Sequence, residues 1–202
     1  MDLSAPLADV IPGPRGQILA TLAQLETPVT IRALARHSGV APQTALSVVG
    51  DLRDAGLVLS QRAGQAHMVT LNRAHILAPP VVALARTRAR LIERLTRELT
   101  AWTELAGGWL FGSAAHGTGG RQSDIDILLV AESSTETAAW AEATARLVDH
   151  VLSWTGNHPQ LVEHSRGSFA LLIRDRNRLV TAVRDEGIAL TPGSATLLRR
   201  PE

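Results

Sequence analysis

The chain has 202 residues, 45% of them hydrophobic, which suits one large domain or two small ones with packed cores rather than a disordered chain. It has no cysteine, which excludes a disulfide framework and any thiolate metal site. The formal net charge is only +1 and all 20 basic residues are arginine, so nucleic-acid affinity would need a local patch, and a cationic phosphate contact must come from a guanidinium fork.

The first residues, MDLSAPLADVIPGPRG, lack a basic start followed by an apolar core, so no signal peptide is expected. No apolar run approaches membrane-spanning length, and a cytoplasmic location is the expectation. Residues 14–25 predict a helix with Pro14 near its first turn, and Ile18, Leu19, Leu22 and Leu25 share one face. A short β-branched run, Val29-Thr30-Ile31, precedes a second helix over about 31–37, which buries Leu34 and stops at Ser38-Gly39. After Val40-Ala41-Pro42 a third helix runs to about Ala55, with Gly56 as its left-handed cap. LVLSQRAGQAHMVTL then predicts two strands around a turn at Ala63-Gly64-Gln65.

Three helices with a tight turn before the third, then a hairpin, describe a winged helix-turn-helix. The run HSGVAPQTALSVVGDLRDAGLV resembles the second and third helices of winged-helix transcription regulators, including those with a MarR-like fold. The resemblance covers about residues 12–73. It implies double-stranded DNA as a partner through residues 1–75, with the third helix in a major groove. Gln43, Thr44 and Ser47 would then face base edges, and Arg62, Gln65 and His67 on the wing would meet phosphate or minor groove. Residues 1–75 are nearly neutral and the third helix carries Asp51 and Asp54, so dimerisation or packing on a second domain stays open as the other use of this fold.

Pro79-Pro80 opens a linker over 76–107, predicted as one long amphipathic helix. Val81, Leu84, Leu91, Ile92, Leu95, Leu99, Trp102 and Leu105 form its stripe. It is expected to pack on both domains, with a homodimer seam as the alternative, and to end at Gly107-Gly108. From there the pattern alternates: strands at 109–111, 124–130 and 159–164, an edge strand at 187–190, and helices between. One of these helices is expected to open at a capping box, Ser133-Ser134-Thr135-Glu136, and another to start from Ser168. The fold class is therefore mixed α+β: an N-terminal winged helix-turn-helix over 1–75, the linker helix, and an α/β domain with a small mixed sheet over 108–202.

The informative stretch is WLFGSAAHGTGGRQSDIDILLV, residues 109–130. A strand leads into Gly112-Ser113, where a missing Cβ lets the backbone approach a phosphate and a helix start offers free N–H groups. Gly117, Gly119 and Gly120 let the chain turn back. Asp124 and Asp126 stand two apart on a strand, so both carboxylates project from one face while Ile125, Ile127 and Leu129 anchor the other. Adjacent carboxylates repel. Hard divalent cations with substrate phosphate oxygens relieve that repulsion, and two such ions can clamp an in-line phosphoryl displacement. There is no Gly-x-Ser-x-Gly run, no Walker lysine, and no histidine spacing suited to zinc.

Gly-Ser, then Gly, then Ser-Asp-Ile-Asp-Ile-Leu resembles the signature of the DNA polymerase beta-like nucleotidyltransferase superfamily, closest to the minimal nucleotidyltransferases, over about residues 105–192. The resemblance implies Mg²⁺ (or Mn²⁺) on Asp124 and Asp126 and a nucleoside triphosphate held by Gly112 and Ser113, with Gly117, Ser123 and Arg121 beside it. It also implies transfer of the nucleoside monophosphate to an acceptor hydroxyl. Likeness to nucleotidyltransferase antitoxins points to a protein acceptor; a small molecule such as an aminoglycoside is the alternative. Family members carry a third carboxylate on a neighbouring strand. Here Gln160 stands at the expected position, and Glu163, the nearest acid, is the candidate third catalytic carboxylate beside Asp124 and Asp126. Glu163 faces the other way on a regular strand, and a bulge would be needed to recruit it. His116 is a further phosphate candidate, and Arg121 is equally an ordinary surface arginine. The second functional reading is a transcription regulator whose degenerate transferase domain senses nucleotide without turnover.

Overall fold

The structure is a computed structural model that describes residues 1–64 and 66–198; Gln65, expected on the wing, lies outside the described residues. The chain divides into two compact units. One comprises Asp2 and Ser4–Thr87; the other begins at Arg88 and includes Met1 and Leu3.

In the first unit, α1 (Pro6–Val10) and α2 (Pro14–Gln24) precede a two-residue strand β1 (Val29–Thr30), α3 (Ile31–Ser38) and α4 (Pro42–Asp54). The Thr30 hydroxyl accepts the Ala33 amide at 3.1 Å and starts α3. Gly39, at φ 66°, ends it in the left-handed conformation that a residue with a Cβ resists. Strands β2 (Val58–Ala63) and β3 (Ala66–Leu71) form an antiparallel hairpin, and β1 adds to it in the order β1-β3-β2. Leu7, Ile18, Leu22, Leu34, Val49, Leu52 and Val69 close a core that also takes α5 (Ala78–Ala85). Each such apolar side chain contributes about 1.5–3 kcal/mol of burial.

The single helix expected over the linker is two. After α5 the chain breaks at Arg86 and resumes as α6 (Thr87–Thr100). The Thr87 hydroxyl donates to the Leu84 carbonyl at 2.6 Å, a local bond that competes with the helical ladder. Gly107-Gly108 do not end a helix either. They lie inside β4 (Leu105–Phe111), because side chains crowd that backbone: a Cβ at Gly107 would meet Leu197 Cδ1 at 2.7 Å and the Trp109 ring at 2.9 Å.

The second unit is built on a mixed sheet in the order β6-β5-β4-β7. Its elements after β4 are α7 (Gly112–His116), β5 (Ile125–Ala131), α8 (Ala138–Thr155), β6 (Pro159–Ser165), α9 (Arg166–Arg174), α10 (Arg178–Glu186), β7 (Ile188–Ala189) and α11 (Ser194–Leu197). Only the β5–β6 pair is parallel, and α8 supplies its crossover. α8 starts at Ala138 with Thr137 as its cap, accepting the Trp140 amide at 3.0 Å; the expected capping box instead makes a local turn in which Ser134 accepts the Glu136 amide. One face of the sheet packs Ile125, Ile127 and Leu129 against Leu91, Leu95 and Leu99 of α6 and Trp140, Leu147 and Val151 of α8. The opposite face packs Trp109, Leu128 and Val130 against Phe169, Val180 and Val183. β5 is therefore apolar on both faces from Ile127 onward, and its charge is confined to its first turn of the pleat. Among the described residues no helix is long and apolar enough to cross a membrane.

Candidate functional site

The site lies where β4 ends and β5 begins. Phe111 pairs with Asp126 on one side, and Gln160 of the parallel β6 stands beside Asp126 on the other. Phe111, Asp126 and Gln160 thus line one row across the sheet. Ile125 is fully buried on the opposite face, and its amide donates to the His158 carbonyl at 2.9 Å. This pins the strand between the two aspartates. Asp124 is exposed and Asp126 half-buried. Burial first, and the neighbouring Asp124 charge second, hold the Asp126 carboxyl above the ordinary carboxylate range.

Gly112 follows β4 at φ 67°, and a Cβ placed there would come within 2.2 Å of Asp126 Oδ2. The left-handed backbone favours glycine here, and a Cβ would oblige the Asp126 carboxylate to move. Ser113 follows, and its carbonyl accepts the amides of Gly117, Thr118 and Gly119. That fan of bonds folds the glycine connection back over the turn.

The remaining expected site residues divide in the fold. Gly117, at φ 73°, caps α7 and lies against the Arg88 guanidinium. The Ser123 hydroxyl accepts the Gly120 amide at 3.0 Å, closing the loop before Asp124. Arg121 is exposed on that loop. The His116 ring is engaged by the Gly112 carbonyl at Nδ1 (2.7 Å) and by Glu186 Oε2 at Nε2 (2.9 Å), so it braces α7 and α10. Glu163 does not join the aspartates. β6 has no bulge in its register, Glu163 pairs with Leu129, and its carboxylate accepts the Trp140 indole N–H on the face opposite Asp126. Among the described residues no group of three His, Asp or Glu is gathered to hold a metal.

Two residues at the site were not expected. Asn157, 3% exposed, donates its amide to the Ser123 carbonyl at 2.9 Å and to the Gly120 and Arg121 carbonyls at 3.4 Å, holding the loop that delivers Asp124. Arg88 donates from Nε to the Ala114 carbonyl at 2.8 Å and from Nη2 to the Ala115 carbonyl.

The DNA-reading candidates lie in the first unit. Gln43, Thr44 and Ser47 are all exposed on α4, while Ala45, Val49 and Leu52 of the same helix are buried. Arg62 and His67 are direct cross-strand partners near the tip of the hairpin, both exposed. Asp51 is paired with Arg15 at 3.1 Å and Asp54 with Arg53 at 3.0 Å, toward the C-terminal end of α4.

Residues 90–176 match the family model for the nucleotidyltransferase domain, from within α6 to just past α9, taking in Gly112, Ser113, Asp124, Asp126 and Asn157 but not Arg88. Over this segment the chain is similar to nucleotidyltransferase domains, which generally use a nucleoside triphosphate and a divalent metal ion. No curated protein matches the chain.

Proposed function

We propose that the chain transfers a nucleoside monophosphate from a nucleoside triphosphate to an acceptor hydroxyl, with Mg²⁺ or Mn²⁺ held by Asp124 and Asp126. The observation that carries this reading is the 2.2 Å approach of a would-be Gly112 Cβ to Asp126 Oδ2, which sets the glycine turn against one of the two carboxylates. The residues fit a hard divalent cation. Both donors are carboxylate oxygens, nitrogen and sulfur ligands are absent from the pair, and Asp126 is short of compensation for its burial and its like-charged neighbour. When bound, such an ion neutralises the triphosphate and stabilises charge at the α-phosphorus. Gly112 and Ser113 orient the phosphates, and Asn157 fixes the loop that presents Asp124. The acceptor oxygen bonds to the α-phosphorus as the bridging bond to the β-phosphate breaks; pyrophosphate leaves and the hydroxyl proton passes to solvent. The acceptor is a protein side chain or a small molecule.

The first unit is read as a winged helix-turn-helix that binds double-stranded DNA through Gln43, Thr44 and Ser47 on α4 and Arg62 and His67 on the hairpin. Their shared exposure supports this reading, and Asp51 and Asp54 lie beyond them toward the C-terminal end of α4. A second reading has its own support. Gln160, a neutral amide, stands in register with Asp126 where the superfamily resemblance implies an acid. A site so built binds nucleotide and turns it over slowly, and the whole chain then acts as a nucleotide-sensing regulator.

Pyrophosphate release and radiolabel transfer from each of the four triphosphates with Mg²⁺ decide between these readings. Turnover that vanishes in Asp124→Asn and Asp126→Asn supports transfer. Nucleotide binding without turnover, with salt-sensitive binding to duplex DNA, supports the regulator.

A further inference from the structure

α7 has five residues, too few to sustain itself as a helix. The last four carbonyls of any helix lack partners inside it, and here they make up nearly the whole element. Gly112 O is met by His116 Nδ1, and Ser113 O by the amides of Gly117, Thr118 and Gly119. Ala114 and Ala115 are buried, so water is a poor partner for their carbonyls, and both are met by one side chain, Arg88. The guanidinium offers Nε and Nη2 as a fixed fork that suits two consecutive carbonyls, which a lysine ammonium cannot reproduce. Its charge also opposes the negative end of the element. Gly117 lies beside it: a Cβ there would stand at contact distance, 3.4 Å from Arg88 Nε. Arg88 is half-buried, whereas Arg90, Arg94 and Arg97 on the same helix are exposed. It also lies just ahead of the segment that matches the family model.

We propose that Arg88 is a positioning residue that sets the Gly112–Ser113 turn against Asp126 and, through that turn, the affinity for the nucleoside triphosphate. This rests on the transferase reading of the same site. Arg88 acts from behind α7, through the carbonyls of Ala114 and Ala115, and has no role in bond making.

The test uses the full chain with Arg88→Lys, Arg88→Met and Arg88→Ala, each shown by circular dichroism to be folded. In Arg88→Lys and Arg88→Met, KM for the triphosphate rises about tenfold while kcat changes by less than about threefold. Free guanidinium at millimolar concentration restores KM in Arg88→Ala and leaves the wild type unchanged. Amide exchange in the nucleotide-free protein accelerates at Ser113 to Gly117 and stays constant in β5. Unchanged KM in a folded Arg88→Met overturns the proposal, as does full function of Arg88→Lys. A fall in kcat at constant KM also overturns it, because that pattern belongs to a group acting on the reacting atoms. A wild type that binds no triphosphate defeats the transferase reading by itself; amide exchange then decides on Arg88, and unchanged rates at Ser113 to Gly117 refute its hold on the turn.

Discussion

Burial, and then the charge of Asp124, raise the Asp126 carboxyl above its ordinary value of 3.8. In the unfolded chain neither influence acts, so the native state binds this proton more tightly. The stabilisation from holding that proton is fully present below pH 3.8 and is lost as pH rises through the raised native value. At pH 7 the ionised Asp126 therefore works against the fold. Asp126→Asn should raise the melting temperature of the ligand-free protein at pH 7 by about 1–3 °C and abolish its response to Mg²⁺. The gain should shrink on acidification toward pH 4, where the wild type recovers its proton. Thermal melts at both pH values check this, and a variant that melts below wild type at pH 7 would refute it. Gly112→Ala tests the same contact from the other side. Its Cβ would enter the space of Asp126 Oδ2 and its backbone would be held at positive φ, for a loss of about 1–3 kcal/mol. Pairing it with Asp126→Ala should recover part of that loss, because the two sites share one contact. The glycine turn and the alternating aspartates were each readable in the sequence, and the pairing of β4 with β5 is what brings Gly112 against Asp126. Arg88 and Asn157 were not readable. Each acts across more than 25 residues, and an arginine among Arg86, Arg90, Arg94 and Arg97 has no local mark to set it apart.

β6 shows how far period-two reasoning reaches at the level of elements. Alternation turned Glu163 away from the aspartates even though it was the candidate third catalytic acid, and the structure supplies no bulge to bring it back. What the pattern could not supply was a partner for that acid, because the Trp140 indole comes from α8, a helix whose packing no strand periodicity encodes. Glu163→Gln should leave transfer nearly unchanged and lower stability by about 1 kcal/mol, the difference between a charge-assisted and a neutral hydrogen bond from the Trp140 indole; denaturant melts and pyrophosphate assays together check it. Gln160→Asp should do the reverse. It adds a carboxylate in the row of Asp126, so turnover should rise by about tenfold or more at alkaline pH, where a third acid stays ionised. An unchanged rate would mean that proton acceptance does not limit the reaction. β4 and the linker were misread for a common reason. Glycine pairs and unbroken apolar stripes are local signals. Leu197 against Gly107, and the Thr87 hydroxyl on Leu84, are interactions whose outcome depends on the neighbouring backbone.

Across the whole molecule, each unit closes its own apolar core, and each proposed ligand has its site within one unit. Triphosphate with Mg²⁺ should slow amide exchange around residues 112–126, and duplex DNA should slow it on α4 and the β2–β3 hairpin. The near-neutral charge of the first unit limits what DNA binding can look like. Electrostatic affinity scales with the number of phosphates neutralised, at about −0.9 in log K per log salt for each contact. Arg32 and Arg36 on α3 and Arg62 on β2 are exposed, so three contacts per protomer predict a slope of about −3. Arg62→Ala should flatten that slope by about one unit and weaken all duplexes alike, because a phosphate contact carries no sequence information. Gln43→Ala should leave the slope unchanged and weaken only the preferred sequence, because α4 would meet base edges. Titrations at several salt concentrations separate the two variants. If both change the slope, α4 is a phosphate contact and sequence is not read there. If neither variant alters binding, the exposed face of α4 and the hairpin serves a protein surface, and the fold of residues 1–75 has been put to the use that its low charge favours.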